Sequence, residues 1–138
     1  MPAERAARKA VFEATNGYPA LLYELQRHLD PGPQFMHQVS AFRDNLNSSE
    51  GARVVLEVLG CLANEQCHAA LVFMRDCGGD PIADMTLLWD EAQYGVSLEA
   101  FVHWGNLLGL LQPAGASDQW TLDPFIGKLL STLDSGNA

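Results

Sequence analysis

Phe35, Val39, Phe42 and Leu46 follow one another at spacings of four, three and four residues, which lays their side chains along one stripe of an α-helix. The same rhythm returns along most of the chain, and residues that start or stop helices bracket each return. Ala3 to Thr15 is rich in strong helix formers, and Asn16-Gly17 is a stop. Pro19 suits the first turn of a second helix carrying Leu21, Leu22, Leu25 and Leu29. Asp30-Pro31-Gly32-Pro33 then breaks the chain ahead of Phe35. Asn47-Ser48-Ser49 offers an N-cap for a helix through Val54, Val55, Val58, Leu59 and Leu62. Asn64 to Arg75 reads as a further helix, ended by Cys77-Gly78-Gly79-Asp80-Pro81.

Beyond that break, Pro81 opens a shorter helix through Leu87, Leu88 and Trp89, and Tyr94-Gly95 makes a turn. Ser97 is a natural N-cap for a helix from Leu98 to Gln112. Leu98, Phe101, Val102, Leu108 and Leu111 form its main stripe, widened by Trp104, Leu107 and Leu110; Gly105 and Gly109 would let another helix approach. A polar loop, Pro113 to Gln119, leads to an extended piece, Trp120-Thr121-Leu122. Asp123 caps a last helix with Pro124 at its first position and Ile126, Leu129, Leu130 and Leu133 inside, and from Ser135 the tail frays. The expected fold is mainly α: a helical bundle, residues 1–77, joined to a winged-helix-like half, residues 78–138, with one short β-wing. The two parts are expected to form one compact unit.

Charge separates the halves more sharply than fold does. The net charge is -9, and between Arg75 and Lys128 there is no lysine or arginine. That stretch carries Asp76, Asp80, Asp84, Asp90, Glu91, Glu99, Asp118 and Asp123, a surface unsuited to a phosphate backbone. No apolar run approaches the roughly 18 residues that cross a bilayer. Met1 to Lys9 has no apolar segment behind it, so no secretory leader is expected and the cytoplasm is the expected location.

Chemistry-bearing residues do not converge in the sequence. Cys61, Cys67, His68 and Cys77 lack the two-to-four-residue spacing of structural zinc ligands, and a gap of six turns two helical cysteines to different faces. They read as small apolar residues beside a surface histidine. His28, His37, His68 and His103 fall in four different helices, and no nucleophile elbow accompanies any of them. Asp76, Asp80 and Asp84 lack the alternate spacing of a calcium loop. No enzyme activity, metal or cofactor is therefore expected.

Thr15-Asn16-Gly17-Tyr18-Pro19-Ala20-Leu21-Leu22 resembles the Gly-x-Pro segment that opens the helical lid of STAND-type and related AAA+ ATPases. Gly109-Leu110-Leu111 and Trp120-Thr121-Leu122-Asp123-Pro124 look similar to the close of the winged-helix domain that comes after that lid. The resemblance spans roughly residues 10–133 and implies a lid plus a winged helix, with Pro19 at the position that lies against a nucleotide's adenine. The nucleotide-binding core is not part of it, because no Gly-x-x-x-x-Gly-Lys-Ser/Thr occurs.

The functional expectation is a protein-interaction module, an acidic regulator or inhibitor. Its partner is a protein with a basic surface or a second copy of this chain, not a nucleic acid or a membrane. Asp80, Asp84, Asp90, Glu91, Glu99 and Trp104 are the expected contact residues. The alternative is a winged-helix DNA-binding regulator. It is disfavoured because the helix from Leu98 offers only His103, Asn106 and Gln112 to bases, with Glu99 at the end that would face the groove.

Overall fold

Caps written into the sequence set most element boundaries. In the computed structural model, which describes residues 2–30 and 32–136, the helices are α1 (Pro2–Thr15), α2 (Pro19–Arg27), α3 (Phe35–Asn45), α4 (Ser49–Val58), α5 (Glu65–Cys77), α6 (Ile82–Leu88), α7 (Glu91–Tyr94), α8 (Leu98–Leu107) and α9 (Pro124–Gly136). Strands β1 (Leu111–Ala114) and β2 (Ala116–Leu122) form one antiparallel sheet. The protein is thus mainly helical with a small two-stranded sheet. No helix among the described residues is long and apolar enough to cross a membrane. The expected chain break at Asp30 to Pro33 includes Pro31, which lies outside the described residues.

The chain divides into two compact units, Met1–Gly60 with Leu129–Ala138, and Cys61–Lys128. The division therefore falls elsewhere than the expected boundary at 77/78. Helix α5 belongs with the second unit, because it packs on β2 and α7.

In the first unit α1 packs on α2 and α3, and α2 on α4. Ala14, Leu25 and Val39 are buried at one centre, with Ala10, Val11, Leu29, Phe35 and Phe42 packed around them. Leu29 contributes from beyond α2, whose C-cap is His28. Between α1 and α2 both Asn16 (φ 52°) and Gly17 (φ 76°) take left-handed backbone, and Pro19 then opens α2 behind an extended Tyr18. The Gly-x-Pro segment thus has a complete backbone task here, a helix stop followed by a helix start. Arg43 Nη1 reaches Glu13 Oε2 at 2.9 Å, joining α3 to α1. Ser48 caps α4, its Oγ accepting from Gly51 N at 3.0 Å. The helix ends at Val58 rather than running to Leu62, and Gly60 (φ 80°) turns the chain.

The second unit begins with the Asn64 cap of α5, Oδ1 accepting from Cys67 N at 2.7 Å. After α5, Gly79 N donates to Trp120 O at 2.8 Å and Pro81 bridges antiparallel to Gln119, so this segment lies along β2. Helix α6 stops at Leu88, and a four-residue α7, absent from the expected elements, comes after an Asp90 cap. Helix α8 also differs from expectation, ending at Leu107 and not Gln112. Gly109 (φ 76°) sits just past its end; Gly109 N donates to Asn106 O at 3.2 Å and Leu110 N to Gly105 O at 2.8 Å. That pair of bonds is a Schellman stop with glycine at the left-handed position. Leu110 and Leu111 are consequently not helical: Leu111 opens β1, opposite Leu122. Most of the segment expected as a polar loop is β-ladder, with Gln112 opposite Thr121 and Pro113 opposite Trp120, turning at Gly115 (φ 91°). Gly105 admits no second helix either. A Cβ there would meet Leu111 Cγ and Cδ1 at 2.6 Å, so its missing side chain makes room for β1. Asp123 Oδ1 accepts from Phe125 N at 2.8 Å at the start of α9, which remains helical through Ser135.

Candidate functional site

The first unit carries an apolar cleft of about 390 Å³ lined by Val11, Phe12, Leu22 and Phe35 among others; the acidic residues and most of the aromatic rings in mutual contact lie in the second unit. It holds nine carboxylates against Arg75 and Lys128. Arg75 Nε is itself held by Asp76 Oδ1 at 3.1 Å. A run of aromatic rings crosses the unit: Phe73 meets Trp89 edge-on at 5.3 Å, Trp89 lies 4.4 Å from Tyr94 and 5.5 Å from Phe101, and Phe101 lies 5.6 Å from Trp104. These centroid spacings are those of mutually attractive rings.

Helix α8 divides this unit's surface. Leu98, Phe101, Val102 and Gly105 face inward. Its other side leaves Trp104 38% and Leu107 71% exposed, with Leu108 at the C-cap 51% exposed. Glu99, His103 and Asn106 are also exposed. A cleft lies on each flank of α8. One, about 550 Å³, is lined by Ile82, Thr86, Trp89, Glu91, Leu98 and Glu99 among others. The other, about 520 Å³, is lined by Glu99, His103, Asn106 and Trp120 among others. Ser97, Glu99 and Val102 line both.

Of the expected contact residues, Glu91 and Glu99 come together at the first of these clefts. Trp104 is on the same helix as Glu99. Asp90 is an N-cap, its Oδ1 accepting from Gln93 N at 3.1 Å, so it has a structural task. Asp80 and Asp84 are exposed, in the turn before α6 and in its first turn, and line neither cleft.

Sequence reasoning missed a third cleft of the second unit, about 370 Å³, between α5 and α7. Its walls include Glu65, His68, Phe73 and Asp76 from α5 and Gln93 and Tyr94 from α7. The signal was present: Glu65, His68, Ala69, Val72, Phe73 and Asp76 recur at three- and four-residue steps, one stripe of a helix. His68 Nε2 is buried there without a hydrogen-bond partner in the protein. Such an atom costs folding about 1–3 kcal/mol.

All three thiols are shifted toward the protonated form. Burial, with a smaller contribution from Cys67, pushes Cys61 up to about 12. Burial also raises Cys67, and burial followed by the Asp80 and Asp76 carboxylates raises Cys77. Tyr94 is raised by burial, then by Asp90 and Cys77. His68 and Cys77 share α5 but stand nine residues apart, about 13 Å along the axis, too far for a nucleophile–base pair. Among the described residues no three His, Cys, Asp or Glu side chains group as a metal ion would need.

Comparison of the chain with protein-family models, curated proteins and solved structures returns no match.

Proposed function

We propose that this protein is a non-catalytic protein-interaction module, an acidic regulator or inhibitor whose partner presents a basic surface. The observation that carries the reading is helix α8, which exposes Glu99, Trp104 and Leu107 on a unit holding only Arg75 and Lys128 as lysine or arginine. Exposed large apolar side chains suit a hot spot, and the unit's excess of carboxylates suits electrostatic steering of a basic partner. Neutral, burial-raised thiols and the separation of His68 from Cys77 fit a module that does no nucleophilic chemistry.

A winged-helix-like arrangement of this unit belongs to the same proposal. The order α5, bridge at Pro81, α6, α8 and the β1–β2 hairpin supports it. It also favours a second reading, a DNA-binding regulator, in which α8 would enter the major groove. The side chains weigh against that reading: Glu99, His103, Trp104 and Leu107 would meet the duplex, and no lysine or arginine lies between Arg75 and Lys128. The lid-plus-winged-helix likeness to STAND-type ATPases stays a proposal about ancestry, with Gly17 and Pro19 serving the backbone and not a nucleotide.

The deciding experiment is affinity purification from the native host after nuclease treatment, at low and high salt, with Leu107→Asp run alongside. A stoichiometric protein that survives nuclease, and that Leu107→Asp loses, supports the module. Recovery of nucleic acid alone, falling steeply with salt, overturns it in favour of the regulator. A concentration-dependent dimer abolished by the same variant identifies the partner as a second copy.

A further inference from the structure

The cleft between α5 and α7 has the chemistry of a cation receptor. Its named walls hold two carboxylates, Glu65 and Asp76, and two aromatic rings, Phe73 and Tyr94; no lysine or arginine lines it, although Asp76 Oδ1 accepts from Arg75 Nε at 3.1 Å at its edge, so an incoming cation would share that carboxylate. The rings sit 5.8 Å apart at 56°, forming a corner. Aromatic faces beside carboxylates attract guanidinium and ammonium groups, more strongly as water is excluded. Glu65 and Asp76 are eleven residues apart on α5, so their backbone positions are about 16 Å apart along the helix axis. One cation cannot meet both. An extended peptide covers about 3.3 Å per residue, so basic side chains four or five positions apart can.

We propose that this cleft seats a basic segment of the protein partner, with one arginine or lysine against Phe73, Tyr94 and Asp76 and a second at Glu65. His68 lies between them in sequence on α5 and also lines the cleft, its Nε2 buried without a hydrogen-bond partner in the protein. The inference rests on the protein-interaction reading and adds the chemistry of what is bound.

The test is an amide-resolved NMR titration of the full chain with three probes: N-acetylarginine amide, its neutral isostere N-acetylcitrulline amide, and acetyl-Arg-Gly-Gly-Gly-Arg-amide. Saturable shifts confined to 65–77 and 91–95 with the arginine probes, and none with citrulline, are expected. The two-arginine peptide binds at least fivefold tighter than the single amide, and Glu65→Gln removes that gain. Asp76→Asn, at an exposed position, and Tyr94→Leu each weaken both arginine probes several-fold. Equal shifts from citrulline, shifts elsewhere on the protein, or indifference to Asp76→Asn overturn the proposal. A two-arginine peptide no tighter than the single amide also overturns it, since the groove would then suit a lone organic cation. Because the probes are free of any partner, these outcomes leave the purification result standing on its own.

Discussion

The indole Nε1–H of Trp89 donates to the carbonyl oxygen of Val96 across 2.9 Å, tying the end of α6 to the residue before the Ser97 cap of α8. The same indole touches Phe73, Tyr94 and Phe101, so one side chain fixes α5, α7 and α8 around it. Trp89→Phe keeps much of the ring packing and loses the hydrogen bond. Because that bond is exposed, the expected cost is about 0.5–1 kcal/mol in urea unfolding monitored by circular dichroism. Trp89→Ala loses the packing as well, and about 2–4 kcal/mol is expected. Equal costs for the two variants would mean that the rings contribute nothing.

Gly105→Ala sets two effects against each other. Alanine favours the helix by about 1 kcal/mol. Its Cβ, however, would lie 2.6 Å from Leu111 Cγ and Cδ1. Leu111 is 3% exposed and paired with Leu122, so it has little room to yield. Overpacking of this kind costs about 1–3 kcal/mol, and the clash is expected to prevail, giving a net loss of about 1 kcal/mol. Leu111→Ala in the Gly105→Ala background should then cost less than Leu111→Ala alone. Additivity of the two would show that Leu111 is not what Gly105 accommodates.

Local and non-local information divide what was legible in the sequence from what was not. The starts at Pro19, Ser48, Asn64, Ser97 and Asp123 were readable because a cap is a local event between neighbours in sequence. The end of α8 was misread because Leu107, Leu108, Leu110 and Leu111 continue a helical-looking apolar pattern through Gly109. Only the left-handed backbone at that glycine separates a helix stop from a helix interior. The strand at Gln112 and Pro113 carries no alternating apolar pattern, and its pairing with Thr121 and Trp120 is non-local. In the candidate site, the acidic character and Trp104 were visible from composition and spacing. The meeting of Glu91 with Glu99, and of Phe73 with Tyr94, depends on turns at Gly95 and Gly79 that join distant segments.

Alkaline pH should expose the Cys61 environment. Well below pH 9 the thiol is neutral whether the chain is folded or not, and its stabilising contribution is fully present. Above that the unfolded thiol ionises, while the buried one holds its proton until about 12. Stability therefore falls as pH rises from about 9 to about 12, by at most about 4 kcal/mol when complete. Cys61→Ala removes this component, so its unfolding midpoint should decline less than the wild type's across that window. Iodoacetamide at neutral pH should likewise reach Cys77 and Cys67 before Cys61, which is completely buried. Parallel declines in the two proteins would show that Cys61 is solvated.

Asp90 and Glu99, both drawn from the acidic stretch, should separate by the property each variant changes. Asp90 accepts the Gln93 N–H as the cap of α7, so Asp90→Ala is expected to cost about 1 kcal/mol of stability. Glu99 is exposed and lines two clefts. Glu99→Lys should leave the unfolding midpoint within about 0.5 kcal/mol of wild type. Its effect belongs to association: a slower on-rate with a basic partner, and a weaker dependence of that rate on salt, because steering acts through charge across a Debye length of about 10 Å at 0.1 M. Leu107→Asp, at a position 71% exposed, should instead raise the off-rate and weaken affinity at least tenfold, about 1.4 kcal/mol. Stopped-flow and surface-binding kinetics on the purified pair distinguish the two. If Glu99→Lys left the on-rate and its salt slope unchanged while Leu107→Asp had no effect on release, α8 would not be the surface the partner meets.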